Sequence, residues 1–237
     1  MASRALDKIY NIIQDRVKKG YDYRGTNAYN VSMSDLKKMQ NISDKYGFPV
    51  EWLANLINHE SAGTWNPSIT NSIGATGLIQ FMPNTAQGLG TSTAQLRNMT
   101  FAQQLDYVDS YLYQALNNRN VLASNGKVPN NFAQSDLFML IFYPKSVGQP
   151  DYIFPDSVQR ANGVATPKQY TDKVLKNAFF DLSEAPFTLQ EYLDKYKFLS
   201  SSFASGSKKW WILPTIIIIF GSTIVFSIWY LKKRKAI

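Results

Sequence analysis

Apolar residues recur three and four positions apart from Leu6 to Leu175, and this spacing constrains the fold more than any other feature of the chain. Leu6, Ile9, Ile12, Ile13 and Val17 form the first stripe. Side chains at such intervals share one face of a helix, which must be buried against a neighbour. Leu36, Met39 and Ile42 repeat the pattern in a short helix opened by Ser34 and ended near Gly47. Trp52, Leu53, Leu56 and Ile57 carry the next, with Phe48-Pro49 placing a proline in its first turn, where a missing N–H is harmless. That helix stops between Ser61 and Gly63.

Residues 64–83 read as loop, punctuated by Pro67, Gly74, Gly77 and Pro83. A short helix and turn follow from Thr85 to Gly90. Thr100 with Gln103 makes a capping box, opening a helix through Leu105, Val108, Leu112 and Leu116 to about Asn118. Leu137 to Tyr143 is a buried helix stopped by Pro144, residues 148–167 are irregular, and Thr166-Pro167 starts a helix through Tyr170, Val174 and Leu175. Thr188 and Glu191 form a last capping box, ahead of a Ser/Gly linker at residues 200–207. No run of paired strands and no internal repeat interrupts this order, so the expected body is mainly α.

A second kind of apolar segment opens on Trp210 and closes on Leu231, 22 residues without a charge. A bilayer core takes about 20 such residues in a helix. Trp210 and Trp211 at one end, Trp229 and Tyr230 at the other, and lysines on both sides fit the polar boundaries of a bilayer. The expectation is a single C-terminal transmembrane helix with the lipid bilayer as partner. Four basic residues after the run against two before it favour a short inner tail and a catalytic body outside the cytoplasm.

The same segment explains the net charge of +8. Removing Lys208, Lys209, Lys232, Lys233, Arg234 and Lys235 leaves 19 basic and 17 acidic residues, a nearly neutral body. Nucleic acid is therefore not an expected partner. There is no cysteine and one histidine, His59, which excludes disulfides, thiolate zinc sites and cysteine nucleophiles. No metal and no cofactor is expected.

Glu60 lies four residues after Leu56 and three after Ile57, beside the apolar stripe and in the last turn of its helix. Apolar burial and the negative end of the helix dipole both raise a carboxyl pKa. An acid kept protonated near neutral pH can donate to a leaving glycosidic oxygen. Position alone leaves a solvated helix-end glutamate as the alternative.

The residues that follow bear on that choice. The chain runs His59-Glu60-Ser61, then Asn66-Pro67-Ser68, then Gly74-Ala75-Thr76-Gly77-Leu78-Ile79-Gln80-Phe81-Met82-Pro83. This resembles the soluble-type lytic transglycosylase family, of goose-lysozyme-like fold, in its Glu-Ser, Asn-Pro-Ser and Gly-Ala-x-Gly-Leu-(Met/Ile)-Gln elements. Asn84-Thr85-Ala86, Gly88-Leu89-Gly90 and Gln104-Leu105-Asp106-Tyr107-Val108 extend the likeness toward the phage-borne branch. It covers roughly residues 45–180. The resemblance implies a lysozyme-like helical domain, and with the apolar run the expected fold class is mainly α, a lysozyme-like helical domain with a C-terminal single transmembrane helix. The expected divisions are residues 1–45 (N-terminal helices), 46–180 (transglycosylase domain), 181–207 (short helix and linker) and 208–237 (anchor and basic tail).

The resemblance implies cleavage of the β-1,4 bond between N-acetylmuramic acid and N-acetylglucosamine in peptidoglycan glycan strands. Glu60 is then general acid and later base, Ser61 holds the glutamate or the sugar, and the glycines, Gly77 included, let backbone approach the glycan. Gln80 hydrogen-bonds the sugar, and Leu78, Ile79, Phe81 and Met82 form the groove wall. An internal nucleophile on the sugar yields a 1,6-anhydro product without water, which is how one carboxylate suffices. Tyr143 and Tyr170 stand for two family tyrosines, but Phe142-Tyr143-Pro144-Lys145 lacks the family's asparagine. This leaves plain muramidase hydrolysis open as an alternative, and an inactive structural or glycan-binding role as another. His59 reads as structural. Asp106, Asp109, Asp136, Asp151 and Asp156 remain candidates for a second carboxylate. The first residues are amphipathic and unlike a secretion signal. The expected setting is therefore a virion with its own membrane, among other virion proteins, or otherwise a bacterial inner membrane.

Overall fold

The computed structural model describes residues 2–177. Helix α1, Ala2–Lys18, buries Leu6, Ile9 and Ile13. A short hairpin follows, β1 (Asp22–Tyr23) and β2 (Thr26–Asn27), antiparallel with Tyr23 opposite Thr26. Paired strands were not expected here. Arg24 and Gly25 both take positive φ, 52° and 81°, giving a tight turn whose strands are too short to show alternation.

Helix α2, Met33–Tyr46, is capped by Ser32 rather than Ser34. Ser32 Oγ accepts from Asp35 N, and the Asp35 carboxylate accepts from Ser32 N, a reciprocal box. Gly47, at φ 81°, closes the helix in the left-handed region. Helix α3, Val50–Glu60, follows Pro49 at once and buries Leu53, Leu56 and Ile57 completely. Past the loop come α4 (Pro83–Gly88), α5 (Thr93–Arg97), α6 (Phe101–Asn117) and α7 (Gln134–Phe142). The expected Thr100–Gln103 box caps α6. The chain ends its described part with α8 (Asp156–Asn162) and α9 (Pro167–Asn177).

Helix α7 organises the core. Leu137, Phe138, Met139 and Leu140 are consecutive and all buried, so it is enclosed on every side, against α3, α6 and α9. Each such side chain contributes roughly 2 kcal/mol through the water it sheds. On the other side α2 packs against α1, α3 and α6. Helix α3 therefore touches both α7 and α2, and its last turn is held within the body. Helices α5 and α8 were not expected; α8 buries no residue, so no apolar stripe announces it.

The mainly α body agrees with a lysozyme-like fold. The expected membrane span is corrected: no helix among the described residues is long and apolar enough to cross a membrane. The longest, α1 and α6, have 17 residues, or about 26 Å of helix against a hydrocarbon core of about 30 Å, and both carry charged residues. The run at residues 210–231, the Thr188–Glu191 box and the linker lie outside the described residues.

Candidate active site

Glu60 is the last residue of α3, and the turn after it fixes where its side chain can go. Ser61 is fully buried. Its hydroxyl donates to Ile57 O at 2.6 Å and accepts from Trp65 N at 3.0 Å, which ties the helix end to the returning chain. Both capacities are spent inside the protein, so Ser61 acts on the glutamate through the backbone and does not present its hydroxyl to a sugar. Ala62 and Trp65 hold positive φ, 49° and 56°, a conformation that costs a non-glycine residue roughly 1 kcal/mol or more.

The Glu60 carboxyl is partly buried and, among the described residues, has no hydrogen bond and no ion pair. Removal from water with nothing to stabilise the anion pushes its pKa up to about 8, and burial is the cause. Two tyrosine hydroxyls lie close enough to feel its charge. Tyr111 of α6 donates to Leu140 O at 2.7 Å. Burial raises its pKa, Arg119 lowers it and Glu60 raises it again. Tyr170 of α9 is raised by burial and then by Glu60. Its ring stacks on Phe142 at 4.0 Å and 15°, and its hydroxyl shares a 3.3 Å hydrogen bond with His59 Nε2. Burial pushes the pKa of the His59 imidazole down, which favours its neutral form.

Tyr143 is placed differently. It leaves α7 just before Pro144, at φ −148° and ψ 78°, and its ring meets Tyr152 and Phe154. Of the two expected tyrosines, Tyr170 feels the Glu60 charge directly, and Tyr143 joins it through the rings of Phe154 and Phe142. Tyr111 was not anticipated: its spacing from Val108 and Leu112 makes it look like part of the α6 stripe.

The motif loop folds on itself. Thr76 and Phe81 exchange two backbone hydrogen bonds of 3.0 and 2.8 Å around a turn in which Gly77 and Gln80 take positive φ. Gln104 of α6 enters that turn: its Oε1 accepts from Leu78 N at 2.8 Å, and its Nε2 donates to Pro67 O and Leu96 O. Gly77 faces this carboxamide so closely that a Cβ would overlap it. Its lack of a side chain thus makes room for Gln104. Leu78, Ile79 and Phe81 are buried in the core and do not form an open wall. Met82 is exposed, and Gln80, half-buried, donates from Nε2 to Gly77 O while its Oε1 accepts from no described group. Phe81 meets the Tyr111 ring edge-on at 6.3 Å, which connects the loop to the tyrosine beside Glu60.

Residues 37–116 match the Transglycosylase SLT domain model. The match supports a lytic transglycosylase-type function that cleaves peptidoglycan. It spans about a third of the chain, from within α2 to the end of α6, and contains Glu60, the loop, Gln104 and Tyr111. Tyr170 and His59's other neighbour, Phe138, lie beyond it. No curated protein and no solved structure matches the chain.

The candidate second carboxylates have other engagements. Asp106 pairs with Lys38 at 2.6 Å, and Asp109 with Lys45 at 2.8 Å and the Tyr46 hydroxyl at 2.7 Å. Asp136 accepts from Ala133 N and Gly148 N, and Asp151 and Asp156 are exposed. None of them contributes to the Glu60 shift.

Proposed function

We propose that the chain is a lytic transglycosylase that cuts the β-1,4 bond between N-acetylmuramic acid and N-acetylglucosamine, with Glu60 as its one catalytic carboxyl. The observation that carries this reading is a partly buried, unpaired acid whose pKa of about 8 is set by burial alone. At neutral pH Glu60 is protonated and donates to the glycosidic oxygen as its bond to C1 breaks. The 6-hydroxyl of the muramoyl residue forms the new bond to C1, directly or after the N-acetyl oxygen has held it. Glu60, now a carboxylate, takes the 6-hydroxyl proton. The acid is regenerated, the product is a 1,6-anhydro sugar, and no water is consumed.

Mass spectrometry of purified peptidoglycan after digestion with the full chain tests this. Anhydro ends are expected. Reducing ends would make the protein a muramidase instead, and an undigested wall would leave a glycan-binding role. Delivery in a virus particle is a further proposal that rests on the sequence; detection of the chain in purified particles is expected, and its absence from them removes that setting.

A further inference from the structure

Residues 16–29 approach the turn that follows Glu60 from outside the region matching the family model. Arg16 of α1 donates from Nη1 to Asn58 Oδ1 at 2.6 Å and to Gly63 O at 2.7 Å. The Tyr21 hydroxyl donates to Ala62 O at 2.8 Å, and Tyr29 N donates to Thr64 O at 2.8 Å. Asn66 Nδ2 closes the far side by donating to Asn27 O at 2.9 Å. Three successive carbonyls, at residues 62, 63 and 64, thus each receive a donor from the N-terminal segment. Asn58 Oδ1 also accepts from Trp65 Nε1 at 3.2 Å, so one side-chain oxygen joins Arg16, the last full turn of α3 and the returning chain.

We infer that the segment from Arg16 to Tyr29 is a clamp that positions Glu60, with Arg16 and Tyr21 as its positioning residues. The inference rests on the reading of Glu60 as the acid. Arg16 and Asn58 are both buried, so their hydrogen bonds do not compete with water. A Cβ on Gly63 would lie 2.7 Å from Arg16 Nη1, so the turn is shaped around the guanidinium. The turn also contains the two left-handed residues Ala62 and Trp65, a conformation that persists only when surrounding contacts over-determine it. Without the clamp, the carbonyls at 62 and 63 lose their donors, the end of α3 is free to fray, and Glu60 can swing toward water. The clamp works by geometry: Arg16 adds no electrostatic shift to Glu60.

The test is a 13C NMR titration of the Glu60 carboxyl in the full-length chain, with glycan cleavage assayed in parallel. Wild type is expected to titrate near 8. Folded Arg16→Met is expected to titrate at least about one unit lower and to lose roughly tenfold or more in kcat with KM little changed, because misplacement of a catalytic group acts on the chemical step. Arg16→Lys, which keeps one donor for Gly63 O, should recover part of both. If Arg16→Met does not fold, Tyr21→Phe, which removes one oxygen, decides by a smaller shift in the same direction. A folded Arg16→Met, or in its place Tyr21→Phe, that titrates with wild type overturns the clamp. If wild type cleaves no glycan but the titration moves, the clamp stands and the functional reading falls. If wild type cleaves and the titration stays fixed, the reverse holds.

Discussion

The end of α3 and the loop at residues 74–83 lie close in the chain and treat their polar groups in opposite ways. In the loop Thr76 pairs with Phe81 through the backbone, and Gln104 serves Leu78, Pro67 and Leu96. At the helix end, Glu60 is partly buried with neither hydrogen bond nor counter-ion. Saturated hydrogen bonding gives stiffness. A buried acid without partners gives a poised proton. On the proposed reading the two regions divide the labour of one motif, the loop holding shape and the glutamate holding chemistry, and substitutions in each should fail differently.

The sharpest break comes from Glu60→Gln, which keeps the shape and removes the proton. Muropeptide release is expected to fall by roughly 10³-fold or more, within the range that a positioned acid–base group contributes. Stability should move the other way. The folded pKa of Glu60, about 8, is raised above its ordinary 4.5. The folded state thus binds that proton more tightly than the unfolded chain, and its stabilising contribution is complete below pH 4.5 and lost as pH rises through 8. Relative to wild type, Glu60→Gln should gain stability across that window, by on the order of 5 kcal/mol at its upper end. Denaturant melts at pH 4 and pH 9 check it; a constant difference between the two proteins would mean that the carboxyl is not desolvated. The rate of wild type should fall through the same upper limb, as the acid ionises.

The loop should fail by unfolding. Gly77→Ala adds a methyl against the Gln104 carboxamide at a positive φ and is expected to cost roughly 3 kcal/mol. Surviving folded protein should cleave at nearly the wild-type rate. Gln104→Ala leaves Leu78 N, Pro67 O and Leu96 O without their buried partner, at about 3 kcal/mol. The two costs should not add, because the smaller residue makes room for the new methyl. Strict additivity in a double-mutant cycle would show that Gly77 answers to something other than Gln104.

How far these roles were legible beforehand depends on what each residue type reveals. Helices α1, α2, α3, α6, α7 and α9 were readable because each carries an apolar stripe, a cap or a proline boundary. The hairpin, α5 and α8 were not, since two-residue strands, a five-residue helix with one buried residue and a helix with none leave no periodic trace. Glu60 and the loop were legible as a constellation. The split between groove and core was not: Leu78, Ile79 and Phe81 are apolar, and an apolar side chain suits either place. Tyr111 was hidden for a similar reason, sitting in register with Leu105, Val108 and Leu112. Tyr143 and Phe142 are neighbours on a helix end, and only the direction of the chain at Pro144 decides which ring supports Tyr170.

Tyr170→Phe makes the finest cut, because it alters the chemistry region without touching its shape. The ring keeps its stack on Phe142, and the helix keeps its buried face. What disappears is the hydroxyl shared with His59 Nε2 and felt by Glu60. One hydrogen bond of about 1 kcal/mol corresponds to roughly fivefold in rate, so kcat should fall by about that factor while the melt is nearly unchanged. His59→Gln, which can still bond the tyrosine hydroxyl, should lose less than His59→Ala. Equal losses in the two variants would mean that the imidazole supports the site by packing between Phe138 and Tyr170 and not through its hydrogen bond.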